Sequence, residues 1–342
     1  MGDAMTTMPL GRSVGRRRVI SILAASAALP LLGHSSRATT TMEPFRWQGI
    51  VLGAASDLTL YAPDRGQAAQ AIEMSLAEIA RLESIFSLHQ ADSALSQLNG
   101  TGRLDRPPFE LVELLSRALA LSASSAGRFD PTVQPLWKLI ADHFAAPNAD
   151  PAGPAPSALA AARALVDHSA VEVDPDAIVF RQPGMQVTLN GIAQGYISDQ
   201  IGELLQTLGF RHTLVNLGET LAIDRRPDGT AWRIGVPDPA DHARLVTEID
   251  LPTGAVATSA GRGLLFEPSG RFNHIVDPER LVCSDLDRSV TVLASSAAVA
   301  DGLSTLGALL PDPERDYASF LRQFGARAYL VTRSAPSGTW LT

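Results

Sequence analysis

Three short stretches of this 342-residue chain place reactive residue types at spacings that chemistry would use. Asp301 and Thr305 stand four apart in a segment that reads as helix, so both side chains share one face. A carboxylate and a hydroxyl beside a backbone carbonyl are hard oxygen ligands. They suit a Mg2+ ion that keeps part of its water and also meets phosphate. Alone, the pair also fits a solvated aspartate and a packed threonine. The second stretch is residues 189–196, LNGIAQGY, between a predicted strand and a predicted helix. Gly191 and Gly195 let backbone come close to a ligand, and the helix N-terminus favours anions such as phosphate. It also fits an ordinary tight turn, and it is neither a Walker loop nor a complete GxGxxG fingerprint. The third is residues 272–278, FNHIVDP, where His274 could serve as a general base or donate to phosphate. A structural histidine on a strand, followed by an Asp-Pro turn, fits the same residues. No GxSxG elbow or serine-hydrolase pattern is present, and the other histidines lack metal-ligand spacing.

The elements that must position these residues follow from apolar periodicity. Residues 49–62 read as two short strands or one broken at Gly53, and residues 67–86 as an amphipathic helix. A short helix over 93–98 is expected to stop at the Asn99-Gly100 turn signal. A long helix over 109–126 stops at Gly127, and the turn 129–132 leads into a helix around Trp137. Residues 145–157, AAPNADPAGPAPS, are low in complexity and read as an exposed loop. In the second half a strand is expected over 185–188 and a helix over 193–208. Strands follow over 213–216, 220–223, 232–236, 246–250, near Val256, over 272–275 and over 290–293. A helix over 297–310, another over 317–324 and a strand over 327–331 complete the pattern. Strands that succeed one another without intervening helices predict an α+β fold with mostly antiparallel sheet.

The first 38 residues read as a leader and not as part of the fold. Arg16, Arg17 and Arg18 precede an apolar run of about 15 residues, short of the ~20 that span a bilayer, and Ser36-Arg37-Ala38 offers a cleavage site. Adjacent arginines before a modest apolar run predict a twin-arginine-type signal and a periplasmic location. Residues 1–38 carry five arginines and one aspartate, so residues 39–342 hold a net charge of about −12, against −8 for the whole chain. That balance excludes nucleic-acid or anionic-membrane binding by charge. Cys283 is the only cysteine, which excludes an intrachain disulfide, a zinc-cysteine centre and a lipid anchor near the leader. A 45% hydrophobic composition still builds a large core, expected to be a single domain over 39–342.

The ordered series LNGIAQGYISDQIGELLQTLGFRHTLVNLGET, WRIGVPDP, ATSAG, NHIVDPERL and SSAAVADGLSTLGALL resembles the ApbE family, the FAD:protein FMN transferases. Upstream, RLESIFSLHQADSALSQLN and GRFDPTVQPLW are similar to the same family's N-terminal blocks, so the resemblance covers about residues 49–333. It implies a T-fold-related α/β unit with FAD in a cleft. It also implies Mg2+ held by Asp301, Thr305 and a carbonyl in the Gly191–Ala193 turn, that of Ala193. FMN would pass from FAD to a threonine or serine hydroxyl of an acceptor flavoprotein, with release of AMP. His274 matches the family histidine and takes a basic or phosphate-orienting role, with Asp277 in the same block. Ser93, Ser96, Asn99, Phe129 and Asp130 match blocks that line the flavin cleft, and Gly191, Ile192, Glu219, Asp238, Pro239 and Ser259 match blocks that approach the cofactor. A twin-arginine leader without a lipid-anchor cysteine resembles the branch serving nitrous oxide reductase maturation, whose acceptor would be a membrane flavoprotein with a periplasmic FMN-binding domain.

Three departures from the family pattern stand out. Gln194 replaces the lysine of GIAKGY, NLGET replaces NLGGD with Glu219 at its acidic position, and Glu279-Arg280-Leu281 lacks the threonine and glycine of HIxDPxTG. A metal-dependent FAD pyrophosphatase and a non-catalytic FAD carrier are the alternatives that the same residues leave open.

Overall fold

The computed structural model describes residues 42–51, 54–241 and 243–342. The leader expected over 1–38 lies outside them. Strands β1 (Glu43–Val51) and β2 (Ala54–Ala62) form an antiparallel hairpin. Helix α1 (Arg65–Phe86) follows, its N-terminus closed by the Asp64 carboxylate, which accepts from the Gly66 and Gln67 amides. Next come α2 (Ala94–Thr101), β3 (Arg103–Asp105), α3 (Phe109–Ser124), α4 (Gln134–Ala145), α5 (Pro156–Arg163), β4 (Val171–Val173) and β5 (Ala177–Phe180). The second half runs α6 (Ala193–Thr207), β6 (Thr213–Asn216), β7 (Thr220–Ile223), β8 (Trp232–Pro237), β9 (Leu245–Leu251) and β10 (Gly254–Ala260). It ends with β11 (Val276–Asp277), β12 (Val282–Cys283), β13 (Ser289–Ala294), α7 (Ala297–Leu309), α8 (Pro313–Asp316), α9 (Ala318–Gln323), β14 (Arg327–Val331) and β15 (Thr339–Leu341).

The main sheet has eight strands in the order β1-β2-β6-β7-β10-β13-β14-β15. Every strand pairing among the described residues is antiparallel, as the α+β reading requires. Alternation along the central strands builds two layers of core on it. Ala255 and Ala257 of β10 and Val290 and Val292 of β13 turn to one face, where Ile197, Ile201, Leu303 and Leu306 of α6 and α7 cover them. Val256 and Leu293 turn to the other, where Trp232, Val236, Ile249 and Leu251 of the β8–β9 hairpin cover them. Burying side chains of this size stabilises by about 1.5–3 kcal/mol each, so the sheet is held from both sides. Small residues let α6 and α7 close on each other: a Cβ on Gly195 would lie 2.3 Å from the Ala297 carbonyl oxygen.

Several local expectations are corrected. Residues 185–188 form no strand. Their backbone is instead tied by side chains and loops, with Asn99 donating to the Val187 carbonyl at 2.8 Å and accepting from its amide at 2.7 Å. Helix α2 therefore runs through Asn99-Gly100, because Asn99 satisfies distant backbone and does not initiate a turn. The low-complexity stretch ends in α5, and Arg271 fastens its loop by donating to the Pro151 carbonyl at 3.0 Å. The strand expected over 272–275 reduces to one bridge, Leu265 with Asn273, and to the two-residue β11 beyond it. The small sheet β3-β5-β4 and strand β15 were not expected.

Candidate active site

The two glycine- and aspartate-bearing motifs meet at the start of α6. Gly195, three residues into the α6 motif, donates its amide to Asp301 Oδ2 at 3.1 Å. That is the only hydrogen bond to the Asp301 carboxylate among the described residues. A Cβ on Gly191 would stand 3.2 Å from Thr305 Oγ1 and 3.2 Å from the Phe129 ring, so the bare glycine backbone faces both. Ser259 at the end of β10 completes the cluster, its hydroxyl 2.8 Å from that of Ser304 and 3.3 Å from that of Thr305. Ala193 opens α6, and Ile192 buries its side chain toward Gly302 of α7. Asp301, Thr305, Gly191, Ile192, Ala193, Phe129 and Ser259 thus form one neighbourhood. No sequence spacing alone relates the 190s to the 300s.

Glu219 joins that neighbourhood from the loop between β6 and β7. Burial raises its pKa well above the usual carboxylate range, and the nearby Asp301 charge raises it further, against a smaller opposing effect of the Thr258 amide. Burial likewise pushes Asp301 up to about 7, with the Asp199 charge adding to it and the Gly195 amide opposing it. Among the described residues no lysine or arginine pairs with either carboxylate. Two buried acids without a counter-charge are what a bound divalent cation would offset. A hard oxygen donor set suits Mg2+, so the residues fit that ion. Gln194, at the family's lysine position, packs its amide against Gly218, within 2.8 Å of where a Cβ would stand, and adds no positive charge.

His274 lies beside the turn that follows Ser259, where a Cβ on Gly263 would stand 3.0 Å from its ring. Its ring Nδ1 lies 3.2 Å from the Leu264 carbonyl, and its own carbonyl accepts from Trp137 Nε1 at 3.1 Å. A carbonyl on Nδ1 selects the tautomer with the proton there and leaves Nε2 able to accept one. Burial lowers the imidazole pKa, with the Leu264 carbonyl opposing, so the ring favours its neutral form. Asp277 spends one oxygen on the turn, accepting from the Glu279 and Arg280 amides at 2.9 Å. Leu281 follows with φ 54°, the left-handed conformation that the family's glycine adopts freely.

Other expected residues are placed as braces. Ser93 is fully buried, donates to the Ser87 carbonyl at 2.5 Å and accepts from the Ser96 amide at 3.0 Å, capping α2. Ser96 donates to the same carbonyl at 3.0 Å, and Asn99 holds Val187 as described above. Asp130 accepts from the amide and hydroxyl of Thr132 at 2.8 and 2.6 Å and pairs with His168 at 3.2 Å. Asp238 accepts from the Ala240 amide at 2.8 Å and pairs with Arg244, closing the loop that buries Pro239. These internal hydrogen bonds hold the five residues in fixed positions within the fold. Sequence reasoning passed over Asp199. It lies four residues after Gly195, and that i to i+4 spacing on α6 was the available signal.

The comparisons with known proteins agree with this geometry. The model of the ApbE family matches residues 52–330. An FAD:protein FMN transferase of Vibrio cholerae is 31% identical over 247 residues, covering 68% of this chain and 70% of the relative. Another, of Salmonella typhimurium, is 26% identical over 333 residues, 93% of each chain. The apo crystal structure of Pseudomonas stutzeri flavinyl transferase ApbE superposes with a TM-score of 0.71 at 26% identity, over 89% of this chain and 95% of that one. The Thermotoga maritima ApbE protein shares the fold with a TM-score of 0.74. The match runs through every motif assembled around Asp301, and on that ground the chain belongs to the ApbE family.

Proposed function

We propose that this protein is an FAD:protein FMN transferase that acts on an exported flavoprotein. The observation that carries the reading is the meeting of Asp301, Thr305 and the Gly191–Ala193 turn, with Glu219 adding a second uncompensated carboxylate. Mg2+ would be held there by the Asp301 carboxylate, the Thr305 hydroxyl and a carbonyl of that turn, and when bound it supplies Lewis-acid polarisation of a pyrophosphate.

The chain's own residues do the rest. The first turn of α6 turns its positive helix end toward an anionic group, although the Ala193, Gly195 and Tyr196 amides are bonded within the chain. Phe129 packs beside Gly191 and limits water at the cluster. His274, held neutral and with Nε2 unprotonated, takes the proton from the acceptor threonine or serine hydroxyl. That oxygen bonds to the FMN phosphorus, the bond from this phosphorus to the oxygen bridging to AMP breaks, and AMP leaves. Positioning and electrostatics account for the catalysis, since no residue of this chain forms a covalent bond. The leader reading adds periplasmic export by the twin-arginine route and a membrane flavoprotein with a periplasmic FMN-binding domain as acceptor.

The test incubates residues 39–342 with FAD, Mg2+ and a threonine-bearing FMN-binding domain, and reads AMP release and acceptor mass together. An acceptor heavier by one FMN, with AMP formed only when metal is present, is the expected result. AMP without a mass gain would replace the transferase by a pyrophosphatase. Tight FAD binding with neither product would replace it by a carrier.

A further inference from the structure

Helices α6 and α7 each accept a hydrogen bond from the other's first turn, beside the Ser296 side chain that caps α7. Helix α6 begins behind Ile192, which has no side-chain acceptor; the Ala193 amide donates to the Leu189 carbonyl at 2.8 Å, and the Gly195 amide takes its partner from another element. That partner is Asp301 of α7, which accepts from Gly195. In return Asp199, one turn along α6, accepts from the Ala297 amide at 2.7 Å, the Ala298 amide at 2.9 Å and the Ser296 hydroxyl at 2.7 Å at the start of α7. Gly195 and Asp199 are four apart on α6, and Ala297 and Asp301 are four apart on α7. The first turn of each helix is therefore held by an aspartate of the opposite helix. Hydrogen bonds of amides to an ionised carboxylate are about twice as strong as neutral ones, and a helix N-terminus adds its dipole.

We propose that Asp199 is a positioning residue for the cation site, one that fixes where Asp301 and Thr305 stand against the Gly191–Ala193 turn. The inference rests on the metal reading given above. Asp199 reaches the first turn of α7, while Asp301 and Thr305 occupy the next turns of the same helix. A slide of α7 along α6 would carry both donors together away from Gly191. Mg2+ tolerates little such error, because it demands near-octahedral oxygen geometry at about 2.0–2.1 Å. Groups that orient ligands from behind typically change metal affinity by about 10–100-fold.

The test titrates the folded protein with Mn2+ as the probe, by electron paramagnetic resonance, at a temperature where circular dichroism shows each variant folded. Asp199→Asn turns an amide N–H toward the α7 amides, and Asp199→Glu keeps the charge but misplaces it. Both are expected to weaken Mn2+ binding at least about tenfold. Ser296→Ala, which removes a hydroxyl but leaves both backbone bonds to Asp199, is expected to lower the Tm while holding affinity within about twofold. Wild-type affinity in Asp199→Asn overturns the proposal. Wild-type affinity in Asp199→Glu also overturns it, because charge and not position would then matter. Should Asp199→Asn not fold, Asp199→Ser, with its shorter acceptor, carries the same comparison. Failure of the unsubstituted protein to bind Mn2+ would overturn the metal reading itself, an outcome distinct from the others.

Discussion

Glu219 and Asp301, 82 residues apart in the chain, are both buried and both raised in pKa, with the Asp301 charge adding to the burial cost of Glu219. Neither has a cationic partner among the described residues. An acid whose folded pKa lies above its unfolded value holds its proton more tightly when folded. Its contribution to stability is therefore present at low pH and is lost as pH rises through the folded value.

For Asp301 that value is about 7, against an ordinary value near 4. The metal-free protein should lose on the order of a few kcal/mol of stability from this group between pH 5 and 8. Asp301→Asn should flatten the difference, and Mg2+ should restore stability at pH 8 in the unsubstituted protein alone. Urea denaturation at each pH, with and without chelator, measures this. Identical pH profiles for the two proteins would show that Asp301 is not the group involved.

Gln194→Lys returns the family's cation to a position packed against Gly218 and next to Glu219. A positive charge there should favour ionised Glu219, stabilising the metal-free protein at pH 8 by ~1 kcal/mol. Metal affinity should fall, since part of the negative field is already offset. A metal titration beside a thermal melt reads both, and an unchanged melt would place residue 194 outside the electrostatic reach of the carboxylates.

Gly195→Ala introduces a Cβ 2.3 Å from the Ala297 carbonyl oxygen, a backbone atom that cannot step aside. The helices must separate, at a cost of about 1–3 kcal/mol for overpacking. Loss of metal affinity should exceed what the remaining folded fraction explains. Equal stability of the variant would mean that the close approach is not required.

Asn99→Ala leaves the amide and carbonyl of Val187 without partners in a part-buried place. A loss of roughly 2–4 kcal/mol is expected from two unmade hydrogen bonds, with faster hydrogen exchange at the Val187 amide. Unchanged exchange there would remove Asn99 from its bracing role.

What the residues alone determined is the part governed by local periodicity and by the chemistry of side chains. The apolar spacing of α1, α3 and α6 and the alternation of β6 to β10 were legible, because a helix or strand that must bury one face repeats its hydrophobes at 3.6 or 2 residues, whereas α7 is buried nearly all round. So was the placing of Asp301 and Thr305 one turn apart on the same helix, fixed by their spacing of four. Tertiary structure decided what no window of sequence contains. Residues 185–188 look like a strand but form no ladder, because Asn99 from another helix takes their hydrogen bonds. Ser93, Ser96, Asp130 and Asp238 read as isolated polar residues, but the fold gives each a partner: backbone for the two serines, and backbone together with His168 or Arg244 for the two aspartates. Asp199 looks like a solvated helix acid until α7 lays its unpaired amides against it. In each case the deciding group lies far away in the chain, and a buried polar atom is satisfied by whichever partner the fold delivers.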